Sequence, residues 1–150
     1  MKRKWSGLLL ATWLLAACGD SEAVSSSYTE QMEMIDVTFL TPLEVPVGDV
    51  TLSVALTQAE DIVEDADSVV FEVWQAGKST ESIHIDAQYV EDGIYEVAHT
   101  FDEAGVYYMF AHTTARGLHV MPKQQIIVGD VDLQSANVDD DYKGSMTERK

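Results

Sequence analysis

The chain has 150 residues, a net charge of −17 and a single cysteine, Cys18. The excess of acid argues against nucleic acid as a partner and against electrostatic docking on anionic lipid, because both would repel it. One cysteine allows no disulfide within the chain, so burial of apolar side chains must hold the fold together. Residues 35–129 suffice for one hydrophobic core and are too few for two domains.

Residues 1–17 predict a cleaved signal peptide. The basic run at residues 2–4 precedes an apolar stretch from Trp5 to Ala17, which is shorter than the roughly 20 residues that a membrane-spanning helix needs. The stretch closes with Leu15-Ala16-Ala17-Cys18, which resembles the lipobox of bacterial lipoproteins. The resemblance implies cleavage before Cys18 and acylation of that cysteine, palmitate included, so that the protein sits on the extracytoplasmic face of the cell membrane. Loss of the leader, with its three basic residues, lowers the net charge to −20.

Two polar segments flank the predicted domain. Residues 18–34 combine the acylated cysteine with serines and acids and predict a flexible tether. Residues 130–150 contain the acidic run 139–141 and few apolar residues, and they predict a disordered acidic tail.

Residues 35–129 predict an all-β domain. Apolar and polar residues alternate in several short runs, which Gly-containing turns such as Asp92-Gly93 separate. Regular spacing of many short strands is typical of an immunoglobulin-like β-sandwich, here with about seven strands. These predicted strands cover residues 35–40, 50–56, 69–74, 83–85, 95–101, 106–114 and 118–128, the last interrupted at Pro122. The acids of Gln58 to Asp67 recur at helical spacing, so this stretch is predicted as a possible helix.

The segment from Glu103 to Met109 resembles the tyrosine corner of immunoglobulin-like domains, in which a Tyr precedes a core Cys by two residues. Here Met109 takes the place of the cysteine and can fill the same volume. The match predicts that Tyr107 and Met109 face the core. Tyr108 and Phe110 then face outward, where they offer a candidate surface for a partner.

The last two strands carry the candidate metal ligands. A two-residue turn at Ala115-Arg116 would set His112 opposite His119, with Met121 on the same face. Two imidazoles and a thioether suit copper, the thioether favouring Cu(I). Two alternatives remain open: a polar contact between the histidines with no metal, and a longer turn that breaks the pairing. His84 is predicted as an exposed strand histidine without a role.

Several of these motifs together resemble the YtkA-like domain, a relative of FixH. They are Asp92-Gly93-Ile94-Tyr95, Gly105-Val106-Tyr107 and the hairpin from His112 to Met121, within a match from about Val69 to Val128. The resemblance implies an immunoglobulin-like sandwich. FixH-type proteins are linked to copper delivery in respiratory oxidase assembly, so the resemblance also implies a copper-related role. The chain departs from FixH in having a lipobox in place of a transmembrane helix.

The sequence contains none of the common hydrolase, zinc-protease or phosphate-loop motifs, so we expect a protein that is not an enzyme. Two functions follow. In the first, the protein is a copper-binding accessory lipoprotein with His112, His119 and Met121 as ligands. In the second, it is a metal-free interaction module whose face at Tyr108 and Phe110 docks on a membrane protein.

Overall fold

The computed structural model describes residues 33–143. The signal peptide, Cys18 and most of the predicted tether lie outside the described residues. The described part is all-β apart from one short 3-10 helix, Ser79–Glu81. Its strands are β1 (Ile35–Phe39), β2 (Glu44–Val45), β3 (Gly48–Gln58), β4 (Asp61–Ile62), β5 (Ser68–Gln75), β6 (Ile83–Asp86), β7 (Gln88–Tyr89), β8 (Ile94–Phe101), β9 (Gly105–Ala115), β10 (Leu118–Val120) and β11 (Lys123–Val128).

Two sheets form a β-sandwich, which confirms the predicted fold class. Sheet A has the order β1-β3-β8-β7, with β4 on β3, and sheet B has the order β2-β11-β9-β5-β6, with β10 on β9. Pairing is antiparallel except between β2 and β11. The inner faces of the two sheets bury a common apolar core, to which β3 contributes Leu52 and Leu56 and β5 contributes Phe71. All seven predicted strand regions are confirmed, the last as β10 and β11.

The predicted helix from Gln58 to Asp67 is wrong. β3 continues through Gln58, and Asp61 and Ile62 turn back to pair with it as β4. The turn is tight because Ala59 adopts a left-handed backbone conformation, with φ 52°. Val63 is fully buried next to this hairpin. Pairing with β3 and the burial of Val63 therefore outweigh the helical spacing of the acidic residues.

The tyrosine corner is present at the start of β9. The Tyr107 hydroxyl donates a hydrogen bond to the Glu103 carbonyl at 3.1 Å, as the motif requires. Met109 has no exposed surface and belongs to the core between the sheets. Tyr108 and Phe110 point to the outer face of sheet B, where they belong to a separate apolar cluster. The predicted facing of β9 is confirmed.

The predicted register of the last hairpin is wrong by two residues. The turn is Arg116-Gly117, with φ of 52° and 75°, and His119 pairs with Thr114 instead of His112. A two-residue turn with both central residues at positive φ matches the right-handed twist of the strands, and glycine accepts that conformation without strain. The glycine thus fixes the turn one position later than predicted, which moves each partner on β9 by two residues.

The corrected register gives Met121 a new partner. β11 pairs with β9 in the same register as β10, since Lys123 lies opposite Phe110. Between the two strands, the Ala111 N–H donates to the Pro122 carbonyl at 3.0 Å. The hairpin therefore continues through Pro122 without a shift, and this places Met121 opposite His112.

The structure also differs from the predicted disordered tail. Residues 130–143 lie along the outer face of sheet B; residues 144–150 lie outside the described residues. We call residues 131–143 the C-terminal strap. Its apolar residues Val131, Ala136 and Tyr142 pack on an outer cluster that contains Trp74, Ala76, Val106, Tyr108 and Phe110. The acids that suggested disorder are interspersed with these apolar residues, and one of them, Asp140, forms an ion pair with Lys123.

Candidate metal centre

A group of polar side chains lies on the outer face of sheet B, beside the aromatic cluster. His84 on β6 pairs with Glu72 on β5, and Glu72 pairs with Phe110 on β9. His112 lies two residues beyond Phe110 and therefore on the same face. His119 on β10 continues this row of side chains, because it pairs with Thr114, the next outward residue of β9.

Glu72 is the buried acceptor of this group. It is only 6% exposed. Its Oε1 accepts a hydrogen bond from the Ser82 hydroxyl at 2.7 Å, and its Oε2 lies 2.8 Å from His112 Nε2. Burial alone would raise the pKa of Glu72, but the hydrogen bonds of Ser82 and His112 and the nearby histidine charges outweigh it and leave the pKa below its usual 4.5. The carboxylate is therefore ionised at neutral pH.

Glu72, His84 and His112 form a geometric cluster suited to a metal ion. One donor atom of each lies within 4.8 Å of the others. His84 Nε2 is 3.7 Å from Glu72 Oε2. The carboxylate is charged and held in place by Ser82, and the two imidazoles are partly or largely open to solvent, so an ion can reach them. One carboxylate and two imidazoles fit a divalent transition-metal ion.

His119 and Met121 adjoin this cluster on the other side of His112. The rings of His112 and His119 stack with centroids 6.0 Å apart. His119 Nδ1 contacts the Thr114 hydroxyl at 3.0 Å, which orients the ring and leaves Nε2 as the atom suited to a metal ion. Met121 is 38% exposed. The structure thus brings His112 and His119 together as diagonal neighbours, and the register places Met121 beside them.

Sequence reasoning missed Glu72 and the contact of His84 with His112. The interpretation of His84 as an exposed strand histidine is correct, because 58% of its side chain is exposed. Its ring nevertheless stacks on that of His112, with centroids 6.0 Å apart. The signal in the sequence that could have revealed this cluster is Glu72 itself, the one charged residue of the run Val69 to Trp74. A charge in such an apolar strand requires a partner nearby.

The predicted partner face at Tyr108 and Phe110 is covered. Each residue is 8% exposed. The Tyr108 hydroxyl donates to the Val138 carbonyl at 2.6 Å. The ring of Phe110 meets that of Tyr142 edge-on, with centroids 4.8 Å apart. Asp141 and Tyr142 of the strap line the same pocket as Glu72, so the strap lies close to the candidate metal centre. Burial and then the charge of Glu72 raise the pKa of Tyr142. The strap occupies the surface on which a partner was predicted to dock.

A family comparison identifies the domain. The family model described as YtkA-like matches residues 29–112, which is more than half of the chain. The chain belongs to the YtkA-like family. The matched region contains Glu72, His84 and His112, whereas His119 and Met121 follow its end. A comparison with curated proteins finds no match.

Solved structures agree on the fold alone. An engineered protein is similar with a TM-score of 0.54 and 16% identity over 65% of this chain and 20% of that one. The endo-beta-1,4-mannanase of Thermotoga petrophila is similar with a TM-score of 0.51 and 14% identity over 68% of this chain and 21% of that one. The chain spans about a fifth of the length of these two proteins. The PmoD soluble domain of Methylocystis sp. ATCC 49242 (Rockwell) aligns with a TM-score of 0.45 and 18% identity over 65% of this chain and 92% of that one.

Proposed function

We propose that this YtkA-like protein is a copper-binding accessory lipoprotein, held on the extracytoplasmic face of the membrane by acylated Cys18. It binds and passes on its metal and catalyses no reaction. The observation that carries the proposal is the contact of His112 Nε2 with Glu72 Oε2 at 2.8 Å, beside His84. His119 and Met121 extend this cluster with a further imidazole and a thioether.

The donor set favours copper over other common metals. Calcium and magnesium require mainly oxygen ligands, and the cluster offers one carboxylate. Zinc accepts carboxylate and imidazole but gains little from the thioether of Met121. Copper accepts imidazole in both oxidation states, and Cu(I) also binds thioether sulfur. The resemblance to FixH-type proteins supports a role in respiratory oxidase assembly or copper handling.

Metal binding is tested on the purified full-length protein in detergent. We expect one copper ion per chain and, for His112→Ala, loss of tight binding, since His112 lies at the centre of the cluster. Affinity should be weaker at pH 5 than at pH 7.5, because protonated imidazole cannot bind metal. Chelator competition measures both effects.

The matched control is His99→Gln. His99 lies on β8 in sheet A, where its ring meets Phe101 edge-on with centroids 4.6 Å apart. The substitution removes a partly buried imidazole from the sheet that lacks the cluster, so copper affinity should not change. Equal copper affinity in the parent and in His112→Ala would refute the proposed site.

The lipid anchor is tested separately with Cys18→Ser. Serine cannot be acylated through a thioether, so the variant should be released from the membrane fraction or remain as an uncleaved precursor. Fractionation and the mass of the chain measure both results, with Ser21→Ala as the control for a change beside the cleavage site. Normal processing and membrane fractionation of Cys18→Ser would contradict the anchor.

Within residues 33–143, no helix has the length and apolar character needed to cross a membrane.

The alternative function, docking of a membrane partner on Tyr108 and Phe110, requires the strap to leave the outer face of sheet B. The contacts of Tyr108 with Val138 and of Phe110 with Tyr142 oppose that step. Absence of copper binding by the parent protein would favour this alternative.

A further inference from the structure

We propose that the cluster holds two overlapping ligand sets that share His112. The hard set, Glu72, His84 and His112, takes divalent ions; the soft set, His112, His119 and Met121, takes Cu(I). This inference rests on the proposed function and deepens it, because it states which residues select each oxidation state. An ion in either set uses His112, and a neutral imidazole has one nitrogen lone pair available for a metal, so one ion occupies the cluster at a time.

The hard set is defined by its carboxylate. Glu72 lies on the central strand β5 between His84 on β6 and His112 on β9. Its Oε2 is 2.8 Å from His112 Nε2 and 3.7 Å from His84 Nε2, so a small shift of the two rings admits an ion between the three atoms. A buried carboxylate gains more from a doubly charged ion than from a singly charged one, because the attraction scales with the ionic charge.

The soft set is defined by its thioether. Met121 lies opposite His112, and opposite residues of paired strands have Cβ atoms about 5 Å apart. His119 shares the outer face with Met121, and its ring stacks on that of His112 at 6.0 Å. Two neutral imidazoles and one sulfur suit a three-coordinate Cu(I) ion, and this set contains no carboxylate.

Geometry prevents one ion from using all five side chains. His84 and His119 stack on His112, each with centroids 6.0 Å from it. Their strands, β6 and β10, flank the pair of β5 and β9 on opposite sides, so the two rings lie on opposite sides of the His112 ring and do not meet each other. Two nitrogen donors on one ion lie no more than about 4 Å apart. His84 and His119 therefore belong to different sets.

The test compares two probes, Zn(II) as a divalent ion and Cu(I), on the full-length protein in detergent. Glu72→Gln should lower the affinity for Zn(II) by at least about tenfold, as loss of a metal-site partner does, while the affinity for Cu(I) changes little. Met121→Leu, which keeps the volume and removes the sulfur, should lower the affinity for Cu(I) and leave the affinity for Zn(II) unchanged. In the parent, each ion should displace the other at a stoichiometry of one.

A second pair of variants guards against effects on folding. His84→Ala should lower the affinity for Zn(II) alone, and His119→Ala should lower the affinity for Cu(I) alone. Both residues are exposed, so the fold should tolerate these changes. If every variant lost affinity for Zn(II) and for Cu(I) to the same extent, the cluster would be a single site. That result would overturn the two ligand sets and leave the proposed function intact. Binding of neither ion by the parent would overturn the proposed function itself.

Discussion

Met109→Ala is expected to lower the free energy of unfolding by about 2–5 kcal/mol, the usual cost of truncating a large core side chain. Met109 has no exposed surface and packs between the two sheets. No disulfide links the sheets at this position, so contacts alone hold them together there. A urea titration followed by far-ultraviolet circular dichroism measures the change.

Met121→Ala is the matched control for this prediction. Met121 lies on the neighbouring part of the same hairpin, faces outward and is 38% exposed, so its loss should change the unfolding midpoint little. Met109→Leu keeps most of the volume and should cost less than about 1.5 kcal/mol. A larger destabilisation for Met121→Ala than for Met109→Ala would contradict the observed facing of the strands.

Removal of the strap, by ending the chain at Gly129, is expected to lower the free energy of unfolding by about 1–3 kcal/mol. Uncovered apolar surface costs about 25 cal/mol per Å², and large aromatic side chains provide much of it here. The backbone entropy that the free strap regains offsets part of this loss. The truncated protein should also expose Trp74, Tyr108 and Phe110, which a hydrophobic dye detects.

Tyr142 provides the point variants for the strap. Its ring lies 5.2 Å from that of Trp74 and 4.8 Å from that of Phe110, measured between centroids. Tyr142→Ala should reproduce part of the effect of truncation, whereas Tyr142→Phe keeps the ring and should have little effect. A truncated protein as stable as the parent, with no added dye binding, would show that the strap contributes nothing in solution.

The strands and the tyrosine corner could be predicted from the sequence because local patterns determine them. Alternation marks β3, and the Gly-x-Tyr spacing fixes which face of β9 is buried. The hairpin register could not be predicted with the same security. Ala115-Arg116 and Arg116-Gly117 are both possible turns, and the choice depends on whether Arg116 accepts a positive φ beside Gly117. That choice decided the partners of His119 and Met121.

The residues of the candidate metal centre could be anticipated from the sequence only in part, for a related reason. His112, His119 and Met121 are close in sequence, so one hairpin brings them together. Glu72 and His84 reach His112 through the pairing of β5 with β9 and with β6, which no local pattern reveals. The strap was missed because its acids dominate its composition, while three apolar residues, Val131, Ala136 and Tyr142, make its contacts.

Trp74 gives this protein an internal spectroscopic probe. Trp5 and Trp13 lie in the predicted leader, so Trp74 is the only tryptophan of the predicted mature chain. Its ring lies 5.3 Å from that of Phe110, which lies 5.7 Å from that of His112. An open-shell ion such as Cu(II) at His112 would quench its fluorescence, whereas closed-shell Zn(II) would not, and departure of Tyr142 would shift its emission to longer wavelength. One unlabelled residue thus reports both the occupancy of the site by Cu(II) and the position of the strap.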